Sequence, residues 1–139
     1  MQAVSRRWTF ALDEEFGHRN ITGDVEGLVS EAGIRTGIVA VHLPGSTGAI
    51  TTIEYEPGAL RDLRRTLDRI APTDDVYEHN EAYQDGNGFS HVRSALLGTS
   101  IAVPVVDGTL QLGTWQEILL VNLDNRHRRR DVVAVVVGT

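Results

Sequence analysis

Asp131-Val-Val-Ala-Val-Val-Val137 is a run of β-branched and small apolar residues without a polar side, and it decides the fold class. Side chains alternate between the two faces of a strand, so a strand apolar at every position has two apolar faces. Each must be covered, by helices or by another subunit. Upstream, Ser100 to Val106 reads as a strand, and Asp107-Gly108 after it is a strong hairpin signal that predicts pairing with Thr109 to Asp124. At the other end of the chain Trp8, Phe10 and Leu12 alternate with polar or small neighbours, as in a half-buried strand.

Between these strands the period changes. Ile21, Val25, Leu28, Val29 and Ala32 fall on one helical face, and Gly33 ends it. Thr36 to Leu43 and Ala49 to Tyr55 read as strands. Pro57 opens a second helix with Leu60, Leu63, Leu67 and Ile70 as its buried stripe, while Arg61, Asp62, Arg64, Arg65, Asp68 and Arg69 form a solvated face of mixed sign. Ala71 to Gly88 is polar and loop-like, long for a connection in a compact domain. A short third helix is predicted over Phe89 to Leu97, with Phe89, Val92 and Leu96 inward and Gly98 at its end. The result is one α+β domain over residues 1–139: a largely antiparallel sheet or sandwich with two main helices and a short third.

Composition narrows the function classes. A net charge of −6 argues against a nucleic-acid partner bound through a broad basic surface. The chain has no cysteine, which excludes disulfides and thiolate chemistry. It has no lysine either, so Schiff-base chemistry and a phosphate-loop lysine are excluded, and any phosphate must be held by arginine, backbone N–H groups, hydroxyls or a metal. There is no leader-like apolar segment or run of membrane-spanning length, so no membrane partner is expected and the cytoplasm is the expected compartment.

Asp85-Gly-Asn-Gly-Phe-Ser-His91 concentrates a carboxylate, a carboxamide, a hydroxyl and an imidazole in a glycine-loosened loop. With His79 it offers two imidazoles and a carboxylate, His79, Asp85 and His91, enough for a three-ligand site for zinc or magnesium with an open position. Surface histidines beside an Asp or Asn that caps the next helix fit the same residues. Gly45-Ser-Thr-Gly48 supplies two hydroxyls, Ser46 and Thr47, in a loop that can cradle an anion or be a plain turn. Glu54 is a lone strand carboxylate. In Leu112-Gly-Thr-Trp-Gln116, Gly113 suggests a bulge, and Trp115 and Gln116 offer a flat surface and an amide, although core packing accounts for Trp115 equally well.

Taken in order, Gly45 to Glu54, Tyr77-Glu-His79, Asp85 to His91, Leu97-Gly-Thr-Ser100, Val103-Pro104, Leu112 to Gln116 and Asp124 to Arg130 resemble the YjbQ-like family over nearly the whole chain. The resemblance implies a small α+β homotrimer, a divalent metal near the histidine-containing segment, and for some members a secondary thiamine-phosphate synthase activity. That activity joins a pyrimidine diphosphate to a thiazole phosphate. Two departures stand out. Gly45 occupies the place where many members carry a histidine, and His127 the place of a frequent proline.

Two readings follow. In the first, the chain is an enzyme acting on a small phosphorylated or anionic molecule. His91 is then ligand or acid–base group, Asp85 orients an imidazole or binds metal, and Asn87 fixes the loop. Glu54 is a further catalytic candidate, and Ser46, Thr47, Trp115, Gln116 and Arg128 or Arg129 hold the substrate. In the second, it binds a metal or small anion without chemistry of its own, which suits the loss of the histidine at Gly45.

Overall fold

The computed structural model describes all 139 residues. Eight strands and four helices follow in the order β1 (Gln2–Leu12), β2 (Gly17–Asn20), α1 (Thr22–Ala32), β3 (Thr36–His42), β4 (Gly48–Glu54), α2 (Pro57–Ile70), α3 (Glu78–Tyr83), α4 (Gly88–Leu97), β5 (Ser100–Val106), β6 (Thr109–Leu110), β7 (Gln116–Asn122) and β8 (Arg128–Gly138). They form two antiparallel sheets, one of five strands in the order β1-β8-β3-β5-β6 and one of three in the order β2-β7-β4.

The layers follow from which faces are apolar. Val132, Ala134 and Val136 of β8, Val39 and Val41 of β3, and Val103 and Val105 of β5 point inward. They meet α1, through Val25, Leu28 and Val29, and one face of the small sheet, through Ile50, Ile118 and Leu120. The other face of the small sheet, Ala49, Leu119 and Val121, packs on Leu60 and Leu67 of α2 together with Phe16 and Leu123. β7 is therefore buried on both faces, which explains its unbroken apolar run from Ile118 to Val121.

The outer face of the large sheet is uncovered. Ile38 and Val106 are 47% and 46% exposed, and Ala40, Ala102 and Pro104 beside them are also open. The demand that β8 be covered on both sides is thus met on one side only within a single chain.

Several expectations hold locally. Gly33 ends α1 in the left-handed region at φ 68°, and Asp107 and Gly108 both take positive φ, as a tight hairpin requires. The chain beyond that hairpin departs from expectation. The ladder back onto β5 stops at Thr109 and Leu110, with one more bond from the Gln111 N–H to the Pro104 carbonyl at 3.0 Å; Gly113 to Trp115 then turn the chain, and β7 joins the other sheet. Gly113 is not inside a strand: its N–H donates to the Gln116 side-chain oxygen at 2.9 Å and closes that turn. Ile70, read as core, is 58% exposed. The long polar connection contains the six-residue α3, which has no buried residue and so no periodic apolar signal.

The largest correction is α4. Val92 and Leu96 face out, at 40% and 59% exposure, and the buried face is Phe89, Ser90, Arg93 and Ser94. Polar residues occupy it because backbone acceptors lie opposite. Ser94 Oγ donates to the Gly48 carbonyl at 2.6 Å, and Arg93 Nε donates to the Ala71 carbonyl at 2.9 Å. The Arg93 guanidinium also pairs with Asp68 at 3.0 Å and lies 5.0 Å from the Phe89 ring centre. Asp68 keeps its place on the solvated face of α2, with its side chain still 56% exposed, while one oxygen reaches the buried Arg93. Replacing Arg93 by alanine orphans the Ala71 carbonyl and opens a cavity, and is expected to cost about 2–4 kcal/mol. Val92→Ala, one residue away and outward, should change stability by less than about 1 kcal/mol. Urea denaturation of both variants checks the inverted face.

Candidate functional site

The Asp85 to His91 loop is held from two sides. On one, Asn80 Oδ1 accepts from the Gly88 N–H at 2.8 Å, tying α3 to the start of α4. A Cβ built on Gly88 would lie 2.5 Å from Tyr77 Cβ, so only glycine lets the two segments approach this closely. On the other, Asn125 Nδ2 donates to the Asp85 carbonyl at 3.0 Å, and Asn87 Oδ1 accepts from the Asn125 N–H at 3.2 Å and from Ser90 Oγ at 2.8 Å. Asn87 is buried and acts as the fixed point of the loop. Asp85 is exposed, and its carboxylate accepts from the Asn87 N–H at 3.2 Å. Asp85, Asn87, Asn125 and Arg126 line a polar cavity of about 260 Å³.

This clamp stacks the two imidazoles. The rings of His79 and His91 lie 4.4 Å apart at 40°, with the Tyr83 ring 4.9 Å from His79. His79 Nδ1 is buried without a hydrogen-bond partner; Asp85 Oδ1, at 3.6 Å, is close enough for its charge to matter and too far to bond. Burial pushes the His91 imidazolium pKa below its ordinary value. A positive charge on His79 pushes it further, and the charges of Asp85 and Asp124 only partly oppose this.

Asp124 was not among the expected site residues. It is fully buried in the turn just beyond β7, and one oxygen, Oδ2, accepts from Thr47 Oγ1 at 3.0 Å and from Arg128 at 2.9 Å. Oδ1 is buried with no partner. Burial works against its charge, but the Thr47 hydroxyl, the Arg128 hydrogen bond and the charges of Arg128 and Arg130 outweigh it, so the carboxyl is held below its usual range. Thr47 is accordingly a buried link between Asp124 and Arg130, not a free hydroxyl. Ser46 and Arg129 are exposed, and neither takes part in this network. A side chain at Gly45 would start 3.3 Å from the Arg130 guanidinium, so a histidine there would lie against that cation.

Glu54, Trp115 and Gln116 lie elsewhere. Gly48 pairs with Asn122 and Glu54 with Gln116, so these residues occupy the far end of the β4/β7 pair, roughly 20 Å away along the strand. There Gln116 also donates to Thr52 Oγ1 at 3.0 Å, and Trp115 is 72% exposed instead of packed in the core. Within one chain the expected residues therefore form two groups.

The imidazoles lie against each other at a 40° tilt, and no three His, Asp or Glu side chains gather closely enough to hold an ion. The donor set of one chain does not fit a three-ligand metal site.

Comparison with known proteins places the chain in a family. The sequence profile described as UPF0047 protein YjbQ-like matches residues 6–139. The chain belongs to the YjbQ-like family. A UPF0047 protein of Methanothermobacter thermautotrophicus is 42% identical over 116 residues, covering 84% of this chain and 80% of that one. One from Archaeoglobus fulgidus is 38% identical over 114 residues, covering 82% and 86%. A crystal structure of a YjbQ-like protein of unknown function from Sulfolobus solfataricus superposes with a TM-score of 0.93 at 29% identity, over 99% of both chains. A hypothetical protein from Aeropyrum pernix does so with 0.89 at 31%, over the full length of both. No helix of this YjbQ-like chain is long and apolar enough to cross a membrane.

The lowered His91 pKa has a thermodynamic signature. A histidine whose folded value lies below its unfolded one, about 6.5, gives its full stability contribution above that pH. The contribution is lost as pH falls toward the folded value. The ring protons of His91 should titrate below the ordinary histidine range in NMR spectra. His79→Gln should move that titration partway up, because it removes the like charge and leaves the burial.

Proposed function

We propose that this protein is an enzyme acting on a small phosphorylated or anionic molecule, with His91 as the acid–base group at the Asp124 corner. The observation that carries this reading is the pair of buried atoms without partners, His79 Nδ1 and Asp124 Oδ1, flanking a histidine whose pKa is lowered. Buried polar atoms are nearly always bonded, and exceptions concentrate where a ligand or proton is handled. A lowered pKa keeps His91 neutral near pH 7 and able to accept a proton. Asp124 supports the proton's arrival as a nearby negative charge, and the half-exposed Arg128 offers the donors that an anion requires.

The reaction to assay first is the coupling of a pyrimidine diphosphate with a thiazole phosphate. There the thiazole nitrogen forms a bond to the pyrimidine methylene carbon while the carbon–oxygen bond to diphosphate breaks. His91 would take a proton from an amino substituent of the pyrimidine, whose electrons help expel diphosphate, and return it to that amino nitrogen once the new bond has formed. Arg128 would meet the charge on the departing diphosphate. Turnover in the unmodified protein, lowered at least about a hundredfold in His91→Ala and in Asp124→Asn, is expected. Equal rates in the variants remove these residues from the chemistry, and no turnover in any removes this substrate pair.

A second reading is a protein that binds a divalent metal, zinc or magnesium, or a small anion without converting it. The unpartnered His79 nitrogen favours it, since a free imidazole nitrogen is a common ligand. Metal analysis of protein prepared without chelator, and melting with zinc, magnesium and phosphate, tests this reading. Ligand stabilisation without turnover across a substrate panel would establish it.

We further infer that the open face of the large sheet is covered by copies of the same chain in a homotrimer. Ile38, Ala40, Ala102, Pro104 and Val106, with Val133, Val135 and Val137 beside them, form one contiguous apolar patch. Light scattering should report about three times the 15.2 kDa chain mass. Val135→Asp should shift it to a single chain; a monomeric unmodified protein contradicts the assignment.

A further inference from the structure

A separate cavity of about 370 Å³ opens on the α2 side of the small sheet, away from His79 and His91. Its floor is Phe16 and Leu60, both nearly buried. His18, Tyr55 and Pro57 wall it, and Arg61 and Arg64 lie at its rim. The aromatic side is continuous: Phe16 and His18 have ring centres 5.7 Å apart, and His18 and Tyr55 5.9 Å apart in an edge-to-face arrangement.

Of the unpaired arginines on α2, Arg61 and Arg64 line the cavity, whereas Arg69 lies farther along the helix and does not. Arg65 pairs with Asp62, and Asp68 is taken by Arg93. Arg61 and Arg64, three residues apart and so on one side of the helix, pair with no carboxylate. Glu56 is near enough for its charge to be felt by Arg61, but its oxygens already accept from the Gly58 and Ala59 N–H groups at 2.7 and 2.9 Å. On a chain of net charge −6, two free guanidiniums at an apolar cavity reverse the local sign. His18 Nδ1 lies 2.8 Å from the Phe16 carbonyl, which can only accept, so that nitrogen carries the proton. In the neutral ring Nε2 is then the acceptor.

The backbone beneath the floor is strained. Glu15 and Phe16 have φ of 54° and 118°, values that L-residues avoid. They are held there by hydrogen bonds from their N–H groups to the Asp124 and Asn122 carbonyls, at 2.9 and 2.8 Å. Strain of this kind collects at ligand sites.

We propose that this cavity binds a small planar aromatic carboxylate. The ring lies against His18 and Tyr55 over the Phe16 floor, and Arg61 and Arg64 grip the carboxylate. A ring hydroxyl or N–H can donate to His18 Nε2. The volume, at the small end of ligand pockets, suits one substituted ring and not a nucleotide. The inference is independent of the acid–base reading of His91.

Titration calorimetry with 4-hydroxybenzoate, 4-hydroxybenzamide and inorganic phosphate on the full chain tests it. Saturable binding of the carboxylate is expected, with a Kd of about 1 mM or tighter. The uncharged amide and the ringless anion should each bind at least about tenfold more weakly. The Arg61→Gln/Arg64→Gln double variant, altered only at exposed helix positions, should lose at least about tenfold in affinity while its melting temperature stays close to that of the unmodified protein. His91→Ala should bind as the unmodified protein does. No saturable binding, amide or phosphate binding as tight as the carboxylate, or undiminished binding in the double variant overturns the proposal. Loss of binding in His91→Ala overturns its independence from the other site.

Discussion

A buried guanidinium organises the corner on which the candidate site is built. Arg130 stands on the inner face of β8, in the alternation that continues as Val132, Ala134 and Val136, and is 8% exposed. Burial lowers its pKa, yet arginine stays charged at any working pH, so its donors must be satisfied. The Thr47 carbonyl and hydroxyl and the Asn122 side-chain oxygen accept from it, at 2.9, 2.7 and 2.6 Å, and Asp124 supplies the countercharge. These bonds tie the loop before β4, the end of β7 and the start of β8 to one point. Gly48 allows it, since a Cβ there would fall 2.6 Å from Leu43 Cδ2 and 3.3 Å from Arg130 Nε. Asn125 and Asn87 then hang the histidine loop from the same corner.

This arrangement explains which parts of the molecule the sequence revealed. The face of α1 and the β-branched strands were legible because their apolar residues repeat at the period of the element and truly face the core. The face of α4 was not, because periodicity ranks residues by apolarity and ignores what backbone acceptors across the interface require. There the Gly48 and Ala71 carbonyls needed donors, and Ser94 and Arg93 outcompeted Val92 and Leu96 for the buried side. The exchange of sheets after Leu110 was hidden for another reason. A hairpin signal tells that two strands pair, not for how long, and Gly113 was the one mark of the break.

The candidate site was legible to the same degree. His79, Asp85, Asn87 and His91 are close in sequence, and a short helix pair brings them together. Asp124 and Arg130 come from the turn just beyond one strand and the start of the next, and only the packing of two sheets makes them neighbours of that loop. A signal existed: Arg130 shares the inward parity of Val132, an odd place for a charge unless a buried carboxylate waits nearby. Glu54, Trp115 and Gln116, grouped with the histidines by motif order, belong to the other end of a strand pair whose length one-dimensional reading does not weigh.

The strand order of the large sheet also governs when the protein can fold. β8, the last element in sequence, lies between β1 and β3, and β1 pairs with it from Gln2 opposite Gly138 to Leu12 opposite Arg128. During synthesis β1 has no partner until β8 has emerged. Such long-range pairing makes for slow folding and leaves a strand edge open in the meantime. Arg6 and Arg7 sit in that edge strand, and charges there discourage pairing with another nascent chain. The unpaired residence of β1 thus turns two surface arginines into guards of the unfinished chain.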